Sequence, residues 1–248
     1  MPDGGLQTGT VRFLSAGDRA LVVEFGDRID RELSAKVLRL AAVIGSSALD
    51  GVVETVPTFR SLMVYYDPLA TTRAKLERAI AALLEDERPP QTSATLWRVP
   101  ACYEGDFAPD LDDVARLTGL SRSEIVTLHS STRFHVYMLG FLPGFPYMGD
   151  LPGALALPRR ANPRTRVPAG SISVAMTLTA IYPYESPGGW HLIGATPVRL
   201  FDARRASPAL FSPGDAISFE PIDPDRFAVI LEAVEKDQYE LERSPIAE

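Results

Sequence analysis

The chain has 248 residues, 46% of them hydrophobic and 23% charged, which excludes wholesale disorder and supplies enough apolar material for one large domain or two smaller ones. A formal charge of −7 argues against nucleic-acid binding through bulk electrostatics, which rests on many Lys and Arg contacts to phosphate. Cys102 is the only cysteine, so this chain alone makes neither a disulfide nor a thiolate zinc site, and three histidines without i, i+4 spacing lead us to expect no metal site.

The opening residues Met1-Pro2-Asp3-Gly4-Gly5 lack the basic and apolar regions of a signal peptide. No apolar run approaches the roughly 18–20 residues of a membrane span. A cytoplasmic address without membrane attachment is the expectation. Val11–Leu14 and Ala20–Phe25 read as strands joined by a turn at Ala16-Gly17-Asp18. Asp30 suits a helix N-cap, and Leu33, Val37, Leu40 and Ala41 follow at helical spacing. Gly51–Val56 and Ser61–Tyr66 read as a second strand pair, and Thr72–Leu84 as a second amphipathic helix. The order β-β-α-β-β-α predicts a small sheet with helices on one face.

Residues 85–93 turn from charged to Pro-rich to polar, which predicts a boundary between domains 1–88 and 94–248. Beyond it, Thr95–Tyr103 is extended, and short helices are expected over Leu111–Thr118 and Ser121–His129. This pair has the outline of a helix-turn-helix, with Ser121 and Glu124 as a capping box. Its second helix offers only Arg122 as a cation, so two packed helices joined by a capped turn are the better reading. From Phe134 onward, short strands punctuated by Pro and Gly favour a barrel or sandwich. A terminal helix is expected over Leu231–Leu241.

Residues 140–197 carry 8 of the 18 glycines and 9 of the 21 prolines. Loops of that kind fix backbone shape through special dihedrals. The segment also holds Arg159, Arg160, Arg164 and Arg166 against Asp150 and Glu185, an electropositive island on an acidic chain that points to an anionic ligand. Gly140–Tyr147 alternates aromatics with breakers, as a pocket wall or as a plug over a barrel end. Arg164 and Arg166 alternate on a strand-like stretch and so share a face, and Gly170-Ser171 would let backbone N–H groups approach an anion. Gly188-Gly189 suits a tight hairpin turn, with Trp190 and His191 beside it. No self-contained nucleophile elbow or nucleotide fingerprint is present. The surface therefore fits half of an active site that a partner chain completes.

These stretches resemble the KipI family, also called the 5-oxoprolinase B-subunit family or the allophanate hydrolase subunit 1 family. The likeness runs through His129-Ser130, Tyr137–Tyr147, Pro163–Ser171, Ile181–Pro183, Ser186–Gly194, Thr196-Pro197, Leu200-Phe201-Asp202 and Pro213-Gly214-Asp215. In the first domain it runs through Gly17–Leu21 and Pro57–Leu62. The resemblance implies an α+β protein, a small N-terminal α/β sandwich domain followed by a cyclophilin-like β-barrel domain. It implies pairing with a KipA-type protein (the C subunit of 5-oxoprolinase) and a LamB/YcsF-type protein (the A subunit of 5-oxoprolinase). Together these would open 5-oxoproline to glutamate as an ATP-dependent hydrolase, with ATP and Mg2+ in the assembled complex and the chain inactive without its partners. Two alternatives follow from the same family. One is inhibition of a histidine kinase, which would need a large exposed apolar patch. The other is a carboxyltransferase role in a urea carboxylase or allophanate hydrolase-like system. The chain departs from the family pattern at Ala175–Ala180 and at Ala195, where substrate contacts would change.

Opening an unstrained lactam needs a better electrophile, which phosphorylation of the carbonyl oxygen would supply. On this reading Arg164 and Arg166 contact anions, and Gly170, Ser171, Gly188 and Gly189 offer backbone donors. Phe145, Tyr147, Tyr182 and Trp190 wall the pocket. His129 and His191 are the candidate acid–base groups, because imidazole titrates near neutral pH.

Overall fold

The computed structural model describes residues 7–8, 11–85 and 94–246. The chain divides into two compact units, Met1–Thr92 and Ser93–Glu248. Within the charged-to-polar stretch read as a boundary, residues 86–93 lie outside the described residues.

The first unit contains β1 (Gln7–Thr8), β2 (Val11–Ser15), β3 (Ala20–Glu24), α1 (Arg31–Ser47), β4 (Val52–Pro57), β5 (Ser61–Tyr66) and α2 (Arg73–Leu84). The strands form one antiparallel sheet in the order β1-β2-β3-β5-β4. Period-two alternation makes its core face: Leu62, Val64 and Tyr66 of β5 are buried beside Leu21 and Val23 of β3. Val37, Leu40 and Ile44 of α1 and Leu76 and Ile80 of α2 join the same cluster. Asp30 caps α1 as expected, accepting from the N–H of Glu32 at 2.9 Å and of Leu33 at 3.2 Å.

The second unit opens with β6 (Thr95–Cys102), then α3 (Leu111–Thr118) and α4 (Arg122–Ser131). Strands β7 (Phe134–Leu139), β8 (Pro146–Gly149), β9 (Arg164–Val167), β10 (Ser171–Ala175), β11 (Leu178–Ile181), β12 (Ser186–Gly188) and β13 (His191–Ala195) follow. The chain then forms β14 (Ala216–Ile222), α5 (Pro224–Glu235) and β15 (Arg243–Pro245). Seven strands run in the order β13-β10-β11-β8-β7-β14-β6, and the ring closes where Ala195 of β13 pairs with Cys102 of β6. Closure removes the exposed edges of an open sheet. Strands β6 and β14 run parallel in register from Leu96↔Ala216 to Cys102↔Ile222, and β15 lies antiparallel on the start of β6. This is the α+β arrangement with a cyclophilin-like barrel that the resemblance implies. Val99, Phe134, Val136, Ile172, Ile193 and Ile217 fill its centre.

Helices α3 and α4 are packed helices joined by a capped turn. Gly119 takes the left-handed conformation at φ 73°, and Ser121 with Glu124 forms the capping box. Leu111, Val114, Ile125 and His129 face the core, and Arg122 is paired with Asp112.

Two expectations fail here. The last helix spans Pro224–Glu235 instead of Leu231–Leu241. Asp223 caps it through the N–H of Arg226 at 2.7 Å, Pro224 occupies the first turn, and Asp237 at φ 54° follows its end. The pair Gly188-Gly189 does not turn a hairpin. Strand β12 pairs with β9 in a separate two-stranded ribbon, whereas β13 pairs with β10 and β6. The two glycines link one sheet to another.

Candidate functional site

The electropositive segment is organised around Asp110, the residue that precedes α3. Its side chain gives α3 no capping bond, although it stands at the N-cap position. It accepts instead from both terminal nitrogens of Arg164 at 2.7 Å, from Nη1 of Arg160 at 2.6 Å and from the N–H of Leu192 at 2.7 Å. Asp110 is 1% exposed, so two guanidinium groups close over one buried carboxylate. Planar bidentate geometry of this kind is what an Arg–carboxylate pair makes best. Arg164 therefore does not serve as the expected anion contact, because its fork is already filled. Arg166 stands elsewhere. It is 76% exposed on β9 and pairs with Glu185 at 2.6 Å, a solvated ion pair of small energetic weight.

The cation left over is Arg159. It is exposed, it makes no hydrogen bond or ion pair among the described residues, and its guanidinium carbon stands 6.0 Å from the ring centroid of Trp190. Trp190 belongs to an aromatic group that the structure does bring together. Phe145 lies 4.9 Å from Tyr147, 5.1 Å from Tyr182 and 6.5 Å from Trp190, and Tyr147 lies 6.0 Å from Trp190. Phe145, Tyr182 and Trp190 are buried, so they form a packed floor beneath Arg159 more than an open wall. Burial pushes the Tyr182 hydroxyl up to about 12 and the Tyr147 hydroxyl upward, while Arg159 pulls both the other way. Both phenols stay neutral near pH 7. A Cβ on Gly188 would lie 2.3 Å from the Tyr182 hydroxyl oxygen, so glycine is needed there for packing.

His191 follows Trp190 and opens β13. Its Nε2 lies 3.1 Å from the carbonyl of Pro158, which places the proton on Nε2, and its Nδ1 is buried without a partner. The N–H of Arg160 donates to Gly189 O at 2.8 Å, tying the arginine loop to the same strand end.

His129 is a different case. It is fully buried, stacked 4.7 Å from Phe219. Thr179 donates its hydroxyl proton to Ser173 O at 2.9 Å, so it accepts from His129 Nε2 at 3.0 Å, and Nδ1 accepts from the Tyr103 hydroxyl at 2.8 Å. Burial holds the imidazole at about 3. His129 is therefore an interior hydrogen-bonding group and not an acid–base catalyst. The unfolded chain takes up a proton at this residue below about pH 6.5, and the folded chain does not. Its stabilising contribution is full above that value and falls as the pH drops toward 3. Between about pH 7.5 and 5, the stability gap between wild type and His129→Gln should narrow by about 2 kcal/mol in urea titrations. A gap of constant size would contradict the buried neutral state.

Gly170 and Ser171 line a cleft of about 630 Å3 together with Pro183, Tyr184, Thr196 and Phe201. Their N–H groups are not available to an anion as expected. Gly170 donates to Tyr182 O at 2.7 Å, and Ser171 to Pro168 O at 3.3 Å. Gly170 has φ 81°, and a Cβ there would meet Thr196 O at 2.3 Å.

The expected site residues thus fall into separate places: the Asp110 network with the aromatic floor, the Gly170 cleft, the Arg166 ribbon and the His129 interior. Sequence reasoning missed Asp110, whose partners Arg160 and Arg164 come 50 and 54 residues later. An Asp immediately before a helix reads as a cap and gives no other signal.

The family model for the carboxyltransferase domain, subdomains C and D, matches residues 11–211. The chain is 36% identical over 226 residues to the 5-oxoprolinase B subunit of Bacillus subtilis, covering 85% of this chain and 93% of that protein. It is 38% identical over 206 residues to the 5-oxoprolinase B subunit of Escherichia coli O157:H7, covering 83% and 93%. The crystal structure of TTHA0988 superposes with a TM-score of 0.74 at 35% identity over 83% of this chain, which spans 40% of that longer one. The Kluyveromyces lactis urea amidolyase shares the fold, with a TM-score of 0.78 at 20% identity over 95% of this chain and 16% of that one. Barrel, ribbon and matched region define a carboxyltransferase-type barrel protein. The chain belongs to the KipI family, whose members include the 5-oxoprolinase B subunits.

Proposed function

We propose that this chain is the B subunit of a 5-oxoprolinase-type hydrolase, acting with a KipA-type and a LamB/YcsF-type subunit to open 5-oxoproline to glutamate with ATP. The observation that carries this reading is the match along 93% of two 5-oxoprolinase B subunits. The chemistry of the site agrees with it. One exposed guanidinium over an aromatic floor suits the carboxylate and flat ring of a small lactam acid. The neutral phenol of Tyr147, beside that floor, suits hydrogen bonding to a polar group of the ring more than proton abstraction.

The N–H groups of Gly170 and Ser171 are used within the fold, and among the described residues no group of three or more His, Cys, Asp or Glu could hold a metal ion. We assign ATP and Mg2+ to the assembled complex of the three subunits. Arg159, Trp190 and Tyr147 then orient the substrate, a positioning role that shows mainly in kcat/KM.

Reconstitution with both partners tests this. Formation of glutamate and ADP from 5-oxoproline should require this chain. Arg159→Ala should lower kcat/KM at least ~10-fold, whereas Arg166→Ala should stay within ~2-fold of wild type. Full turnover without the chain would overturn the assignment, as would carboxyl transfer from a biotin-bearing partner in place of lactam opening. Unchanged kcat/KM in Arg159→Ala would remove that arginine from the site.

A further inference from the structure

The first unit contains a cavity of about 350 Å3, at the small end of the range in which ligand sites occur. Phe25, just after β3, with Leu40 and Val43 of α1 and Leu84 of α2, gives it an apolar lining. Lys36 and Arg39 stand on the same side of α1, three residues apart, and also line it. Neither cation has an ion pair among the described residues, and Nη2 of Arg39 is buried with no hydrogen-bond partner. A buried donor atom left without a partner is unfavourable. A carboxylate is the planar acceptor that a guanidinium takes best. Glu85, the one acid lining the cavity among the described residues, follows the end of α2 and weighs against a doubly charged headgroup.

We propose that this cavity binds a small amphipathic monocarboxylate, with its head on Arg39 and Lys36 and its apolar body against Phe25, Leu40, Val43 and Leu84. The site is independent of the 5-oxoprolinase reading, because none of its residues belongs to the barrel. Apolar burial supplies affinity, and the cation supplies selectivity for a charged head.

Octanoate is the probe. Titrated into the full chain and followed by calorimetry and amide NMR, it should bind saturably with Kd on the order of 0.1–1 mM, as expected for about ten non-hydrogen atoms. Shifts should appear at Phe25, Leu40, Val43 and Leu84. The neutral analogue 1-octanol should bind at least ~10-fold more weakly. Arg39→Met should weaken octanoate ~10-fold and leave octanol unchanged, while Arg39→Lys should stay within ~3-fold of wild type. No saturable binding up to about 10 mM, equal affinity for octanol, or shifts confined to residues 94–246 would overturn the proposal. If Arg39→Met does not fold, the octanoate and octanol titrations of the wild-type chain decide it alone.

Discussion

Replacing Asp110 by alanine is expected to destabilise the barrel unit by about 4 kcal/mol, because two guanidinium groups then stay half-buried without their shared carboxylate. For a unit of this size that is a fall of about 10 °C in the unfolding midpoint. Both tryptophans, Trp97 and Trp190, lie in this unit, so fluorescence during heating reports its unfolding directly. The loss should change little with salt, since the network is shielded from the ionic atmosphere. Replacing all three charges together with apolar residues of similar size should recover most of the loss, which separates the penalty of an orphaned charge from the net worth of the network. A midpoint within about 2 °C of wild type for Asp110→Ala would show that the network is not a structural keystone.

Gly170→Ala should be as severe for a different reason. The residue sits at φ 81°, where a side chain is strained, and its Cβ would stand 2.3 Å from the carbonyl oxygen of Thr196. That oxygen cannot swing away as a flexible side chain could. The N–H of Thr196 already donates to Gly170 O at 2.9 Å, and the N–H of Gly170 to Tyr182 O at 2.7 Å. A loss of about 3 kcal/mol or more is expected in urea titrations followed by tryptophan fluorescence. Gly17→Ala gives the comparison. Gly17 has φ 71° but nothing within 4 Å of an added Cβ, so only the strain of about 1 kcal/mol applies, read by circular dichroism. Equal losses in the two variants would mean that the close approach at Thr196 carries no weight.

Much of the fold is legible in the sequence. Asp30 and Ser121 mark helix starts because their side chains cap free N–H groups locally, within three residues. Leu62, Val64 and Tyr66 declare the buried face of β5 because a strand alternates. Local rules fail where the outcome is non-local. Gly188-Gly189 has the composition of a hairpin turn, but β13 finds better partners in β10 and β6. The apolar pattern of the last helix places it too late, and the start signal Asp223-Pro224 outweighs that pattern.

At the site the same division holds. The electropositive segment is readable from charge, but which arginine stays free is not. Arg159, Arg160 and Arg164 look alike in sequence, and a distant Asp110 sorts them. The interior role of His129 does have a local signal. Ile125 precedes it by four residues, so both lie on one face of α4, and that face is the apolar one.

The three-way pairing of β6 has a bearing on how the molecule is made. All of its neighbours, β13, β14 and β15, lie at least 89 residues downstream, counting from Cys102 to His191. A nascent chain leaving the ribosome therefore presents β6 long before anything can pair with it. Local helices α3 and α4 can form early, but the ring waits for the C-terminal strands. Distant pairings of this kind slow folding and lengthen the time during which apolar strands are exposed to other chains.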